Sequence, residues 1–283
     1  MTRKERESHA AFHLRAMKRM EAPFISPIAE AVKSHIDRVA KVLKEKGIAE
    51  AIQANEKIII NEAIYKPVTD LYKVMGLYMY RRTTREINRS ARAMEKKAGF
   101  GLDFDFLKRI IAFLNQFAFS KVVLPITQTT RKDILEVLIE GQNNGWGVSK
   151  IIEELDPVDM SRRRAETIVR TESLRAMQYG QESAARDSRW QTEKRWISAH
   201  DSRTRTSHRI VDGMKVDEGQ RFPVPIIKKG IQQGIDLMLG PGDPQASAGN
   251  VINCRCTLVT VAKRDARGRL VKKQNQNISL ILE

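Results

Sequence analysis

At 283 residues the chain is long enough for two domains, or one domain with a long helical extension, and 41% apolar with 30% charged residues excludes wholesale disorder. Fifty lysines and arginines against thirty-four acidic residues leave a net charge of +16, which directs the chain to polyanions, nucleic acid first among them. Aromatic residues make up only 6%, too few for a surface that stacks many bases, and two cysteines exclude a disulfide scaffold and fit a reducing compartment.

No stretch approaches the roughly 18–20 continuous apolar residues that span a bilayer, so no membrane partner is expected. Residues 1–20 (MTRKERESHAAFHLRAMKRM) lack an apolar segment and a cleavage site, and residues 1–27 read as a basic, helix-compatible tail rather than a signal peptide. From Pro27 onward the pattern is helical. Ile28, Val32, Ile36, Val39 and Leu43 recur at three- and four-residue spacing, and Gly47 closes the run. A second helix is predicted over residues 49–65, broken ahead of Pro67 because proline disfavours helix in the residue before it. A third covers about 69–97, with Leu71, Val74, Met75, Tyr78 and Met79. AGFGLDFD at 98–105 reads as a turn-rich break, and further helices are predicted over 106–123 and 131–140. NNGWG at 143–147 interrupts the pattern, and Ser149 then stands where an N-cap belongs. Amphipathic helices without a compact core of their own need neighbours, so residues 28–160 are expected to form a partner-binding region.

The last long helix is predicted over residues 161–187. Ala165, Ile168, Val169, Ala176 and Tyr179 share one stripe, and Glu172 falls on it. A carboxylate on an apolar face must find a cation or hydrogen-bond donors, and the expected partner is Arg203 or Arg205. After Trp190 the texture switches, with glycine and proline crowding in from Gly213 to Gly249. KRWISA at 194–199 and RCTLVTVAK at 255–263 read as strands by alternation and β-branched content, and 214–216 as a third, shorter one. The fold class is therefore α+β. A long helical N-terminal region precedes a small loop-rich α+β domain over 161–264, which leans on the 161–187 helix, and a basic, polar tail over 265–283 includes Gln274 to Asn277.

Three elements carry the chemistry. Arg170-Thr171-Glu172 lies on the long helix. Trp196 is followed by Asp201-Ser202-Arg203-Thr204-Arg205 and then His208. PGDP at 241–244 leads to Asn253-Cys254-Arg255-Cys256 at the start of a strand. In order and spacing, over about residues 131–262, these resemble the phage Mu F-like head morphogenesis family, the minor capsid proteins of tailed bacteriophages. That family has a helical N-terminal part ending in an R-T-E step. A tryptophan strand, a D-x-R-T-R-x-x-H or D-x-x-C-x-x-C segment, and a terminal N-C-R-C follow. The resemblance implies a structural virion protein, made in the host cytoplasm and placed inside the head at or near the portal vertex, acting in head assembly or genome delivery. Its implied partners are the portal protein, the major capsid protein or both, and packaged DNA. The net charge suits phosphate contact without sequence readout.

Read from the residues themselves, Arg170, Glu172, Trp196, Asp201, Arg203, Arg205, His208, Asn253 and Arg255 form a polar clasp that holds long loops where apolar burial is scarce. Asp201 can cap the following turn by accepting N–H bonds from around Arg203 and Thr204. Arg203 and Arg205 can pair with Glu172 or with loop carbonyls, and Asn253 can lock a turn. A metal is the competing use. Cys254 and Cys256 are expected on one strand face, roughly 7 Å apart at the backbone, awkward for a disulfide and tolerable for one ion. The resemblance implies that members with C-x-x-C could complete a four-ligand zinc site. Here Arg205 and His208 stand at those positions, leaving only His208, Cys254 and Cys256, and neither a cofactor nor a metal is expected. The alternative function is a phosphate-directed enzyme, nuclease or transferase-like, built on His208, Arg203, Arg205 and Glu172. The chain carries no phosphate loop, no G-x-G-x-x-G, no H-E-x-x-H and no G-x-S-x-G, and no catalytic residue is assigned.

Overall fold

A computed structural model describes residues 1–58, 61–91 and 102–273. The described chain opens with helices α1 (Arg3–Lys46), α2 (Ile48–Lys57), α3 (Asn61–Ala91) and α4 (Leu102–Ala118). A π-helical turn (Phe119–Val123) leads to α5 (Leu124–Asn143), α6 (Val148–Leu155) and α7 (Pro157–Asp187). Then come β1 (Thr192–Ile197), α8 (Thr206–Ile210), β2 (Lys215–Asp217), β3 (Phe222–Lys228), β4 (Ile231–Met238), α9 (Ala248–Val251) and β5 (Thr257–Ala262). The class is α+β, as the sequence predicts. Two compact units divide the chain. A sheet-bearing unit takes Met1–Leu14, Gly76–Phe106 and Met177–Glu283, and a helical unit takes Arg15–Met75 and Leu107–Ala176.

In the helical unit the stripe Ile28, Val32, Ile36, Val39 and Leu43 is at most 1% exposed. That burial explains why α1 runs through Pro23 and Pro27; the helix begins at Arg3, within the segment 1–27 read as a helix-compatible tail. An internal proline costs about 3 kcal/mol, while burying one such aliphatic side chain stabilises by roughly 1.5–3 kcal/mol, and the stripe holds five. Pro67 likewise lies inside α3, beside buried Val68, Leu71 and Tyr72. The break predicted ahead of Pro67 instead follows Lys57, where Ile58 turns extended (φ −66°, ψ 123°).

Helix α4 starts four residues before the helix predicted over 106–123 and passes into the π-helical turn at Phe119, while α5 is longer than the helix predicted over 131–140, with Pro125 in its first turn, where a missing N–H has no partner to lose. Ser149 is not an N-cap. Gly147 holds that position with extended backbone and Ser149 lies inside α6. Helix α7 starts four residues before its predicted start. Asp156 closes α6 in a left-handed conformation (φ 37°), its Oδ1 accepts the Asp159 N–H at 3.3 Å, and Pro157 takes the first helical position. Of the break predicted at 98–105, residues 102–105 begin α4. The rest of it, the predicted helix end at 92–97 and the polar stretch at 274–277 lie outside the described residues.

In the sheet-bearing unit β1 is the central strand of an antiparallel sheet ordered β2-β1-β5, with Lys194 opposite both Val216 and Thr260 and Trp196 opposite Leu258. Alternation buries Thr192, Lys194 and Trp196 on one face. Residues of α3 and α7 tie onto β5. Gln181 Nε2 donates to Thr260 Oγ1 at 3.0 Å, and the Ala262 N–H donates to Ser90 Oγ at 2.9 Å. Ile87, Ala91, Trp190 and Ala262 form one buried apolar cluster. A second sheet, the β3–β4 hairpin, was not predicted. Pro223 and Pro225 argue against a strand, yet their two-residue spacing puts both missing N–H groups on one edge of β3 and leaves Phe222 and Val224 to pair with β4. Lys229 and Gly230 (φ 49° and 79°) supply the two left-handed residues of its turn. Among the described residues no helix is long and apolar enough to cross a membrane.

Candidate functional site

The first motif serves the helical unit. Glu172 is buried on α7, and both its oxygens are taken: the Tyr72 hydroxyl donates to Oε2 at 2.7 Å and Arg175 Nη1 donates to Oε1 at 2.7 Å. The expected pairing with Arg203 or Arg205 is thus replaced by partners on α3 and on α7 itself. Burial pushes the Glu172 carboxyl above its ordinary value, against the opposing pull of Arg175 and Tyr72. Two positions earlier, Arg170 Nε donates to both oxygens of buried Glu21 at 2.9 and 2.8 Å and fixes α7 to α1. The R-T-E step therefore binds α7 to two other helices.

The remaining motif residues meet in the sheet-bearing unit. Asp201 Oδ1 accepts the Arg203 N–H at 3.1 Å and the Thr204 hydroxyl at 3.0 Å, while the Asp201 N–H donates to Thr204 Oγ1 at 3.1 Å. This is the local cap that the sequence predicts. Arg255 clamps the same carboxylate in two-pronged fashion, Nη2 to Oδ1 at 3.0 Å and Nη1 to Oδ2. Burial alone would raise the Asp201 pKa, but the Arg255 and Thr204 bonds, the Arg255 charge and the Arg203 N–H together hold it below the usual range. Arg205 Nη2 donates to the Ile252 carbonyl, just before Asn253, which adopts the left-handed conformation (φ 57°) that a locked turn requires. Arg203 contributes its backbone N–H, and its side chain is exposed.

Trp196 is fully buried and meets His208 edge-on, ring centroids 5.3 Å apart. His208 Nδ1 lies 3.3 Å from Cys256 Sγ and 3.5 Å from Cys254 Sγ. All three donor atoms fall within 4.8 Å of one another. The cysteines precede β5 rather than lie on it, so the expected strand-face separation does not apply, and both sulfurs lie at His208. The Cys254 thiol gives up its proton more readily than usual, because the Cys256 and His208 bonds outweigh burial. Burial and the neighbouring Cys254 raise Cys256.

Four important residues escaped the sequence reading. Tyr72 and Arg175 hold Glu172, and nothing local marks Tyr72, a hundred positions away. Asn250 joins three elements: it accepts the Ser207 hydroxyl at 3.0 Å and donates to the Pro225 carbonyl at 3.1 Å and to Asp236 at 2.8 Å. Asp243 accepts the Leu239 and Gln245 N–H groups at 2.7 and 2.9 Å, a role its place in PGDP could have signalled.

These contacts define a protein whose motif residues hold its own helices and loops together. The family model described as Phage Mu protein F like protein matches residues 132–259, which contain all three motifs, in agreement with the resemblance read from the sequence. The chain is similar to the Minor head protein GP7 of Bacillus phage SPP1, 24% identical over 262 residues that cover 87% of this chain and 82% of that protein. No solved structure matches.

Proposed function

We propose that the chain is a structural minor head protein of a tailed bacteriophage, made in the host cytoplasm and carried inside the head at or near the portal vertex, where it acts in head morphogenesis and meets packaged DNA. The observation that carries this reading is the ordered set of motifs inside residues 132–259, joined to similarity with a minor head protein over 87% of the chain. The contacts favour structure over catalysis. Both Glu172 oxygens are engaged and His208 is buried with Nδ1 turned to two sulfurs, so the phosphate-directed alternative has no assembled set of groups. The +16 charge supports DNA contact through phosphates, with strong salt dependence and no sequence preference. The portal protein and the major capsid protein are the proposed protein partners. Quantifying and labelling the protein in purified particles tests the proposal. A few copies at one vertex would support it, and absence from purified particles would refute it.

A further inference from the structure

We propose that His208, Cys254 and Cys256 bind one zinc ion, which pins the N-C-R-C turn to α8, against the metal-free expectation drawn from the sequence. The donor set comes first. Two thiolates and one imidazole are soft ligands that zinc accepts and that magnesium and calcium do not.

The spacing agrees with an ion at the centre. With Zn–S of about 2.3 Å and Zn–N of about 2.0–2.1 Å, tetrahedral angles put a bound nitrogen and a bound sulfur roughly 3.6 Å apart. His208 Nδ1 lies 3.3 and 3.5 Å from the two sulfurs. A single ring nitrogen has one hydrogen or one lone pair, so without an ion it cannot bond well to both sulfurs at once. An ion makes both contacts edges of one coordination polyhedron.

The surroundings suit thiolates. The Cys256 N–H faces the Cys254 sulfur and the Ala199 N–H faces the Cys256 sulfur, the outer hydrogen bonds that metal thiolates use. The Trp196 indole N–H is buried without a full hydrogen bond, on the Cys256 side. All three ligands are at most 2% exposed. Binding converts two thiols and a neutral imidazole into a dithiolate–imidazole zinc complex and releases two protons to solvent. Three protein ligands leave the fourth position to water or to a group from outside the trio. The ion would cross-link positions 46 and 48 residues apart, in a region built of loops.

The test uses the full chain, incubated with zinc and passed through a desalting column. About one zinc per chain is expected by elemental analysis, and the Cys254→Ser/Cys256→Ser double variant should hold less. Because the double variant can fail by unfolding, the wild-type chain is also read directly. Chelation should lower its melting temperature and added zinc should restore it. Cobalt(II) in place of zinc should give a thiolate-to-cobalt charge-transfer band. A wild-type chain that retains no more zinc than the double variant overturns the proposal. So does melting indifferent to chelator and zinc, or cobalt binding without the thiolate band.

Discussion

Replacing Tyr72 with phenylalanine removes one oxygen and, with it, the 2.7 Å hydrogen bond to Glu172. The ring stays, so no cavity opens. A hydrogen bond to a charged group contributes about 1.5–3 kcal/mol, and in a unit of this size that corresponds to a fall in melting temperature of roughly 3–12 °C. The pH dependence carries the sharper information. Glu172 titrates above its ordinary value in the fold, so the folded chain binds that proton more tightly than the unfolded chain. Its stabilising contribution is complete below the unfolded carboxylate pKa of about 4.3 and is lost as pH rises through the folded value. Tyr72→Phe takes away a donor that favours the ionised form, so its deficit should be small near pH 4 and full at neutral pH. In a Glu172→Gln background the acceptor is neutral and the same change should cost only about 0.5–1.5 kcal/mol. Melting curves of the four proteins across this pH range decide the matter. A Tyr72→Phe deficit that is absent at neutral pH, or that shrinks as pH rises, would refute the reasoning.

Three further outcomes follow from the same contacts. Asp201→Ala should cost about 2 kcal/mol, since it removes a cap and leaves the mostly buried Arg255 guanidinium without its carboxylate. The Asp201 pKa is depressed, so wild type should lose this contribution as pH falls below about 3.9, whereas the variant's melting should be flatter there. Gly180→Ala should lower the melting temperature although alanine favours helix by about 1 kcal/mol. A Cβ there would strike the Gly76 carbonyl and come 3.0 Å from the Tyr80 nitrogen, and such overpacking costs typically about 1–3 kcal/mol; an unchanged or higher melting temperature would show that α3 and α7 yield freely. His35 is buried against Asn55 Oδ1 at 2.9 Å, and burial holds its pKa to about 4, so acidification from 6.5 to about 4 should favour unfolding of the helical unit. NMR titration of the ring should show that low value, and a normal one would remove the argument.

The helices were legible because burial leaves a period. Ile28 to Leu43 repeats at helical spacing whatever precedes it, and the same period ran through α7 to its true end at Asp187. The prolines misled for an energetic reason. A local rule prices Pro27 and Pro67 by the hydrogen bonds they delete, but the fold weighs them against buried side chains far away in sequence. The same blindness hid β3, whose prolines stand at the positions that a strand edge tolerates, and with it its partner β4, which Gly234 interrupts. Strands β1 and β5 escaped it, since neither contains proline or glycine and each shows alternation directly.

Within the site, legibility tracks sequence separation. The Asp201 cap closes over two and three residues, so residue type and spacing suffice to predict it. Asp201 with Arg255, 54 residues apart, and Glu172 with Tyr72, a hundred apart, depend on how elements cross, which no local pattern encodes. For Glu172 the apolar stripe revealed a need for partners without revealing which ones. The cysteines fall between these cases. Cys-x-Cys read as continuous strand puts its side chains one repeat apart, but β5 starts only at Thr257, after both cysteines, and both sulfurs gather at His208. The non-strand backbone ahead of Thr257, which spacing alone does not announce, is what sets Cys-x-Cys apart here from two thiols on one strand face.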